Sequence, residues 1–161
     1  VGLHNLNAYL SLPNVLCCGG SFLVPAGLVE AGRLDEIETL CRAAVQTMFD
    51  PQLCHVGMNC AGAQEAEQRA KALDRLFGFA PRELPGAWFA GSAAELVKKP
   101  FLGAHGHLAI AVNHIERAMA WYQAHGVAFR EEGLVMDGAG VVAVYLQEEV
   151  GGFAIHLRRR D

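Results

Sequence analysis

The chain has 161 residues and a mass of 17.3 kDa, with 52% hydrophobic and 19% charged residues and a formal net charge of −4. That balance excludes a disordered polymer and supplies core for one ordinary domain or one and a half small ones. It also argues against nucleic acid as a partner, because no basic stripe is present to neutralise phosphates. Arg158-Arg159-Arg160 reads as a solvated strand end. No stretch reaches the length of a membrane span and no charged-then-apolar leader opens the sequence, so no membrane partner and a cytoplasmic location are expected. The five cysteines (Cys17, Cys18, Cys41, Cys54, Cys60) are an odd number without metal-type spacing and read as free, mostly buried thiols.

In chain order, residues 4–11 read as a short helix. Asn14-Val15-Leu16-Cys17-Cys18 is a run of small and branched residues that suits a strand buried on both faces. Gly19 and Gly20 then allow a tight turn whose amide groups, with the Ser21 hydroxyl beside them, are candidates for holding an anion; the alternative is a plain turn. Residues 34–48 form a long helix, with Leu34, Ile37, Leu40, Cys41, Ala44, Val45 and Met48 on one apolar face. Asp50-Pro51 breaks that periodicity and marks a boundary between residues 1–50 and 51–161.

Beyond the boundary lies an internal repeat. Cys54-His55-Val56-Gly57-Met58-Asn59 is echoed by Gly106-His107-Leu108-Ala109-Ile110-Ala111, each an alternating strand that begins at a histidine. Each leads to a helix, lined by Ala66, Ala70, Leu73, Leu76 and Phe77 in the first half and by Ile115, Ala118, Met119 and Tyr122 in the second. Gly78 and Gly126 stand where C-terminal caps belong. Strands are expected at 87–90 and 93–97, then at 127–131, 141–147 and 153–158. The pattern is strand-helix-strand-strand-strand, twice.

Two resemblances follow from these segments. Asn5 to Leu16 and Gly19-Gly20-Ser21-Phe22-Leu23-Val24-Pro25, continued by Leu28-Val29-Glu30-Ala31-Gly32, closely resemble the end of 2-keto-3-deoxy-6-phosphogluconate / 4-hydroxy-2-oxoglutarate aldolases. These are class I aldolases with a (β/α)8 barrel, and the resemblance spans residues 1 to 48. It implies a lyase of the Entner-Doudoroff pathway that yields pyruvate plus glyceraldehyde 3-phosphate or glyoxylate. It implies a keto acid or keto-acid phosphate as the small-molecule partner, no cofactor for the aldolase part, and a homo-oligomer, trimeric for the parent aldolase. Gly19, Gly20 and Ser21 would then contact the substrate phosphate or carboxylate. The Schiff-base lysine lies on an earlier barrel strand in this family, and the only lysines here are Lys71, Lys98 and Lys99. Starting at Val1, the chain is expected to be the C-terminal part of a longer polypeptide, with no catalytic residue of the aldolase and a barrel remnant that is loosely held in isolation.

The doubled pattern over residues 53–160 resembles the vicinal oxygen chelate superfamily, which includes glyoxalase I and the extradiol dioxygenases. The expected class is therefore α+β: a barrel remnant followed by a glyoxalase-like domain of two βαβββ modules. In that superfamily a metal sits where the first and last strands of each module meet. Carried over, the ligands are His55 and His107 on the first strands, Glu95 on the last strand of module one, and His156 where the family more often has Glu. Alternation within the strands agrees, since Glu95 and His156 each stand alone amid apolar neighbours, and a polar group on an inner face needs a partner. Three imidazoles and a carboxylate suit a divalent Zn, Ni, Fe or Mn ion. The alternatives are a set of satisfied core histidines, or a non-catalytic appendage that serves assembly.

Overall fold

The computed structural model describes residues 1–160. They divide into two compact units, Val1–Pro51 and Gln52–Asp161.

The first unit is helical. A 3-10 turn at Leu3–Asn5 runs into α1 (Leu6–Leu10), followed by α2 (Ala26–Glu30) and α3 (Leu34–Phe49). Leu6, Leu10 and Ala44 form its buried centre, and Val15, Cys18, Phe22, Leu23 and Met48 pack against them. The Asn7 amide donates to the Thr47 carbonyl at 2.6 Å, tying α1 to α3. The expected strand at 14–18 does not form: the segment is irregular and Leu16 is 88% exposed. The reason is pairing. A strand needs a neighbour to satisfy its N–H and C=O groups, and the described residues of this unit hold no other strand. The Val15 N–H instead closes a turn on the Leu12 carbonyl at 3.1 Å. Without the strand Cys17 is exposed, and only Cys60 of the five free thiols is buried, contrary to expectation.

The second unit contains the two expected βαβββ modules. The first is β1 (Gln52–Asn59), α4 (Ala63–Phe77), β2 (Pro81–Glu83), β3 (Ala87–Ala90) and β4 (Ala94–Val97). The second is β5 (Gly106–Val112), α5 (Ile115–Ala124), β6 (Val135–Asp137), β7 (Gly140–Val150) and β8 (Phe153–Arg159). One eight-stranded sheet results, in the order β2-β3-β4-β1-β5-β8-β7-β6. In each module the last strand lies parallel beside the first, and β1 pairs antiparallel with β5 along the middle. Read from either edge, the sheet gives the same succession of strands.

Three expectations change. Residues 127–131 contribute only an isolated bridge from Phe129 to Leu146, and the second strand of module two is Val135–Asp137 instead. In module one the corresponding strand, Pro81–Glu83, carries no alternation to announce it. On α4, Ala66 and Ala70 are buried as expected, but Leu76 and Phe77 are 64% and 65% exposed. The small alanines bring the helix close to the sheet, where they cluster with Cys60, Ala90 and Leu96. Gly78 adopts the left-handed conformation that ends α4, and Gly126 does the same just beyond α5.

Candidate metal centre

The register of the sheet brings four of the sequence-predicted residues together on the face opposite the helices. His55 pairs with Ala109, and Ala109 with His156, which in turn pairs with Tyr145. In the adjacent row Glu95 pairs with Gly57, Gly57 with His107, and His107 with Ala154. Large and small residues therefore alternate across all four strands of the second row and across the first three positions of the first, where Tyr145 stands directly beside His156. Ala109, Ala154 and Gly57 leave the space into which the rings of their neighbours lean.

The Nε2 atoms of His55 and His107 lie 3.2 Å apart, and the Glu95 carboxylate oxygen Oε2 lies 3.1 Å from the first and 3.0 Å from the second. The His156 ring stands 4.9 Å from that of His107 and 5.7 Å from that of His55, centre to centre. All three histidines are buried, and their ligand atoms fall within 4.8 Å of one another. Tyr145 stacks on His156 with ring centres 4.8 Å apart and planes 17° from parallel.

This arrangement cannot be satisfied by hydrogen bonds among neutral groups. An ionised carboxylate only accepts, and each neutral imidazole carries one N–H. If both Nε2 atoms carry the hydrogen, both donate to Glu95 but face each other as donors. If only one does, the other turns a lone pair toward the carboxylate. Every neutral tautomer leaves one edge of the triangle unfavourable. Nδ1 and Nε2 of His156 add two buried ring nitrogens without a hydrogen-bond partner, a costly state for polar atoms shielded from water.

A divalent cation removes the conflict, because all the lone pairs can then point inward. With metal–ligand bonds of about 2.1 Å, neighbouring donors sit about 3.0 Å apart in an octahedral shell and about 3.4 Å in a tetrahedral one. The observed 3.0–3.2 Å edges match that range. The three buried histidines can hold a metal ion, and Glu95 is placed to join them.

The charges agree. Burial raises the Glu95 carboxyl, but hydrogen bonds from His107 and His55 outweigh it and bring it down to about 2, so the group is ionised. Burial pushes His156 down to about 3, helped by the neighbouring His107 and His55, so its imidazole is neutral and free to ligate. Burial raises the Tyr145 hydroxyl to about 12, and the charge on Glu95 adds to this; the phenol stays protonated. The group lines a cleft of about 590 Å³, with Phe89, Tyr145, Arg82 and Arg158 on its walls.

No family model matches the chain. Among curated proteins, it is 42% identical over 45 residues to 2-dehydro-3-deoxy-phosphogluconate aldolase of Haemophilus influenzae, a match covering 28% of this chain and 21% of that one. It is 55% identical over 42 residues to KHG/KDPG aldolase of Escherichia coli K12, covering 26% and 20%. The chain thus spans about a fifth of the length of the curated relatives it matches. The two βαβββ modules joined along an antiparallel β1–β5 seam have the strand order that the resemblance to the vicinal oxygen chelate superfamily implies. The chain joins an aldolase-like segment to a domain of glyoxalase-like fold. Solved structures of similar shape include methylmalonyl-CoA epimerase from Mycobacterium tuberculosis, at a TM-score of 0.49 and 17% identity over 68% of this chain and 87% of that one. A hypothetical protein of Bacillus halodurans C-125 matches at a TM-score of 0.46 and 17% identity, over 70% and 96%.

Within the second unit, sequence reasoning missed Tyr145, Phe89 and Arg82. Tyr145 had a signal, as a polar ring between Val144 and Leu146 on a strand. In the aldolase-like segment, Gly19, Gly20 and Ser21 lie together and exposed in irregular chain. Neither glycine takes a positive φ. The lack of a side chain at Gly20 instead admits the Phe22 ring, which a Cβ there would meet at 2.7 Å. His114 occupies the N-cap position of α5 at φ 51° without a side-chain capping bond, and the His125 Nδ1–H donates to the Trp121 carbonyl at 2.7 Å. Among the described residues, no helix is long and apolar enough to cross a membrane.

Proposed function

We propose that the vicinal oxygen chelate domain is a divalent-metal-dependent enzyme acting on small oxygenated carbon compounds, with His55, Glu95, His107 and His156 as the metal ligands. The observation behind this reading is the triangle formed by two imidazole nitrogens and a carboxylate oxygen, whose contacts no neutral protonation pattern satisfies. The all-nitrogen and oxygen donor set, without thiolate, suits Zn²⁺, Ni²⁺, Fe²⁺ or Mn²⁺. When bound, such an ion polarises a carbonyl or enediolate oxygen, or lowers the pKa of a water molecule.

The chain's own residues prepare that chemistry. Glu95 lies within hydrogen-bond reach of both His55 and His107 and fixes their ring orientation. Tyr145 covers one face of His156 and limits water there. Phe89 meets His55 edge-on with ring centres 5.5 Å apart, giving the cleft an apolar wall beside the polar centre. Metal analysis of purified protein, compared with a His55→Ala, Glu95→Ala double variant, tests the reading. Close to one ion per chain is expected in the parent and under a tenth of that in the variant. Equal and negligible metal in both would remove it and leave a structural or assembly role for the domain.

The aldolase-like segment supports a second proposal: it is the C-terminal part of a 2-keto-3-deoxy-6-phosphogluconate / 4-hydroxy-2-oxoglutarate aldolase barrel in a bifunctional polypeptide. The 42–55% identity of its short matches is what favours this. All three lysines, Lys71, Lys98 and Lys99, belong to the vicinal oxygen chelate domain, so the segment itself supplies no Schiff-base nucleophile. Contact of a keto acid or its phosphate with Gly19, Gly20 and Ser21, and trimeric assembly of the whole, belong to this proposal. The coding sequence upstream of Val1 tests it: a lysine-bearing barrel strand is expected there.

A further inference from the structure

The cleft over the histidines has a second polar feature, separate from the ligand set. Arg82 on β2 pairs with Phe89 on β3, and Phe89 pairs with Glu95 on β4. Arg82, Phe89, Glu95, Gly57 and His107 therefore form one continuous row across five strands, all bordering the same cleft or its floor. The Arg82 guanidinium leans over the Phe89 ring, 5.4 Å from its centre. It forms no ion pair among the described residues. From the other module Arg158 lines the opposite wall, two residues beyond His156 on β8 and so on the same strand face.

Among the described residues Glu95 is the only carboxylate lining the cleft, and its charge is engaged by His55 and His107. Arg82 thus faces a cavity in which no described carboxylate is free, in a protein whose net charge is −4. A planar guanidinium held on an aromatic face keeps its N–H edge available, which is the geometry that grips a carboxylate or phosphate with two parallel hydrogen bonds. Two strand spacings, about 10 Å of sheet, separate the Arg82 backbone from that of Glu95, and the tilt of the side chain over Phe89 closes part of this span.

We propose that the cleft takes a small organic molecule bearing an oxoanion, whose carboxylate or phosphate is held by Arg82 while an oxygen function roughly three to five atoms away reaches the histidine centre. Arg158 adds positive potential from the far wall. This rests on the reading of the cleft as a substrate site, and it names the class of substrate that site selects.

Calorimetric titration of the whole chain at fixed ionic strength tests it. Malonate and glycerol 3-phosphate serve as the carboxylate and phosphate probes, with malonamide and glycerol as their neutral counterparts. Arg82→Gln, Arg82→Lys and Arg75→Gln are compared with the parent, and bound metal is measured on every sample. At least one anion is expected to bind at least tenfold more tightly than its neutral counterpart. Arg82→Gln should weaken it at least tenfold, Arg82→Lys should weaken it less, and the exposed Arg75→Gln on α4 should leave it unchanged. Binding of malonate alone assigns a carboxylate, and binding of glycerol 3-phosphate alone a phosphate ester. Anions that bind no better than the neutral molecules, or an Arg82→Gln variant with unaltered affinity, would overturn the proposal. Arg82-dependent binding in metal-free protein would uphold it while counting against the metal reading. Intact metal with no anion preference would do the reverse.

Discussion

Gly57 sits beneath the imidazole of His107 so closely that a Cβ there would fall 2.1 Å from the ring. Its φ is ordinary, so alanine fits the backbone and acts only by displacing the imidazole. Gly57→Ala is therefore expected to cost about 1–3 kcal/mol of stability and to cut bound metal to below a tenth, read by thermal unfolding and elemental analysis. His156 and Glu95 together make the metal-free domain sensitive to acid. The folded pKa of His156 is lowered from 6.5 to about 3, so between those values the unfolded chain binds the extra proton, and stability is lost as pH falls from 6.5 toward 3. Glu95, lowered from 4.5 to about 2, acts in the same direction between 4.5 and 2. Stability is fully present above pH 6.5. Chelator-treated protein should lose a few kcal/mol between pH 6.5 and 4, and a His156→Gln variant should lose less over that interval. Denaturant titrations at several pH values measure both. A flat profile in the parent would show that His156 is not held neutral.

At the scale of elements, the helices were legible because period and cap agree. On α5, Ile115 and Ala118 recur on one face, and Gly126 follows with φ 83°. The edge strands were not legible. Pro81–Glu83 and Val135–Asp137 are three residues each, too short for alternation to register, and pairing alone makes them strands. Arg159 helps hold the second of these through its contacts with Asp137, one of them 3.1 Å from Nη1 to Oδ1. The segment 14–18 fails for the complementary reason: its composition suits a strand, but it has no partner. That leaves Leu12, Leu16 and Val24 at 47%, 88% and 50% exposure along one irregular stretch. Limited proteolysis is expected to cut first between residues 11 and 25, at least tenfold faster than anywhere in 52–160. Mass spectrometry of the early fragments checks this, and a first cut inside the sheet would contradict it.

At the scale of the whole molecule, the two compact units meet in sequence at Pro51 and Gln52. The sheet and both of its helices lie in the second, with the histidine centre where the two modules join. A chain cut to residues 52–161 is expected to unfold cooperatively with a midpoint within about 5 °C of the main transition of the full chain, and to carry the same metal per chain. Calorimetry and elemental analysis of the two side by side check it. A shortened chain that fails to fold would show that the first unit is needed to complete the domain.

Order along the chain was enough to establish the repeat, because each module repeats the same local pattern and local patterns are what sequence displays; the four candidate ligands came from the family resemblance that the repeat carries. Tertiary structure decided what those residues mean to one another. Only the antiparallel pairing of β1 with β5 sets His55 and His107 within 3.2 Å, and only the cross-strand register stacks Tyr145 on His156 and lines up Arg82 with Glu95. A shift of one residue in any of these pairings would send a whole strand's side chains to the other face. That choice depends on contacts between residues dozens of positions apart, which no local pattern records.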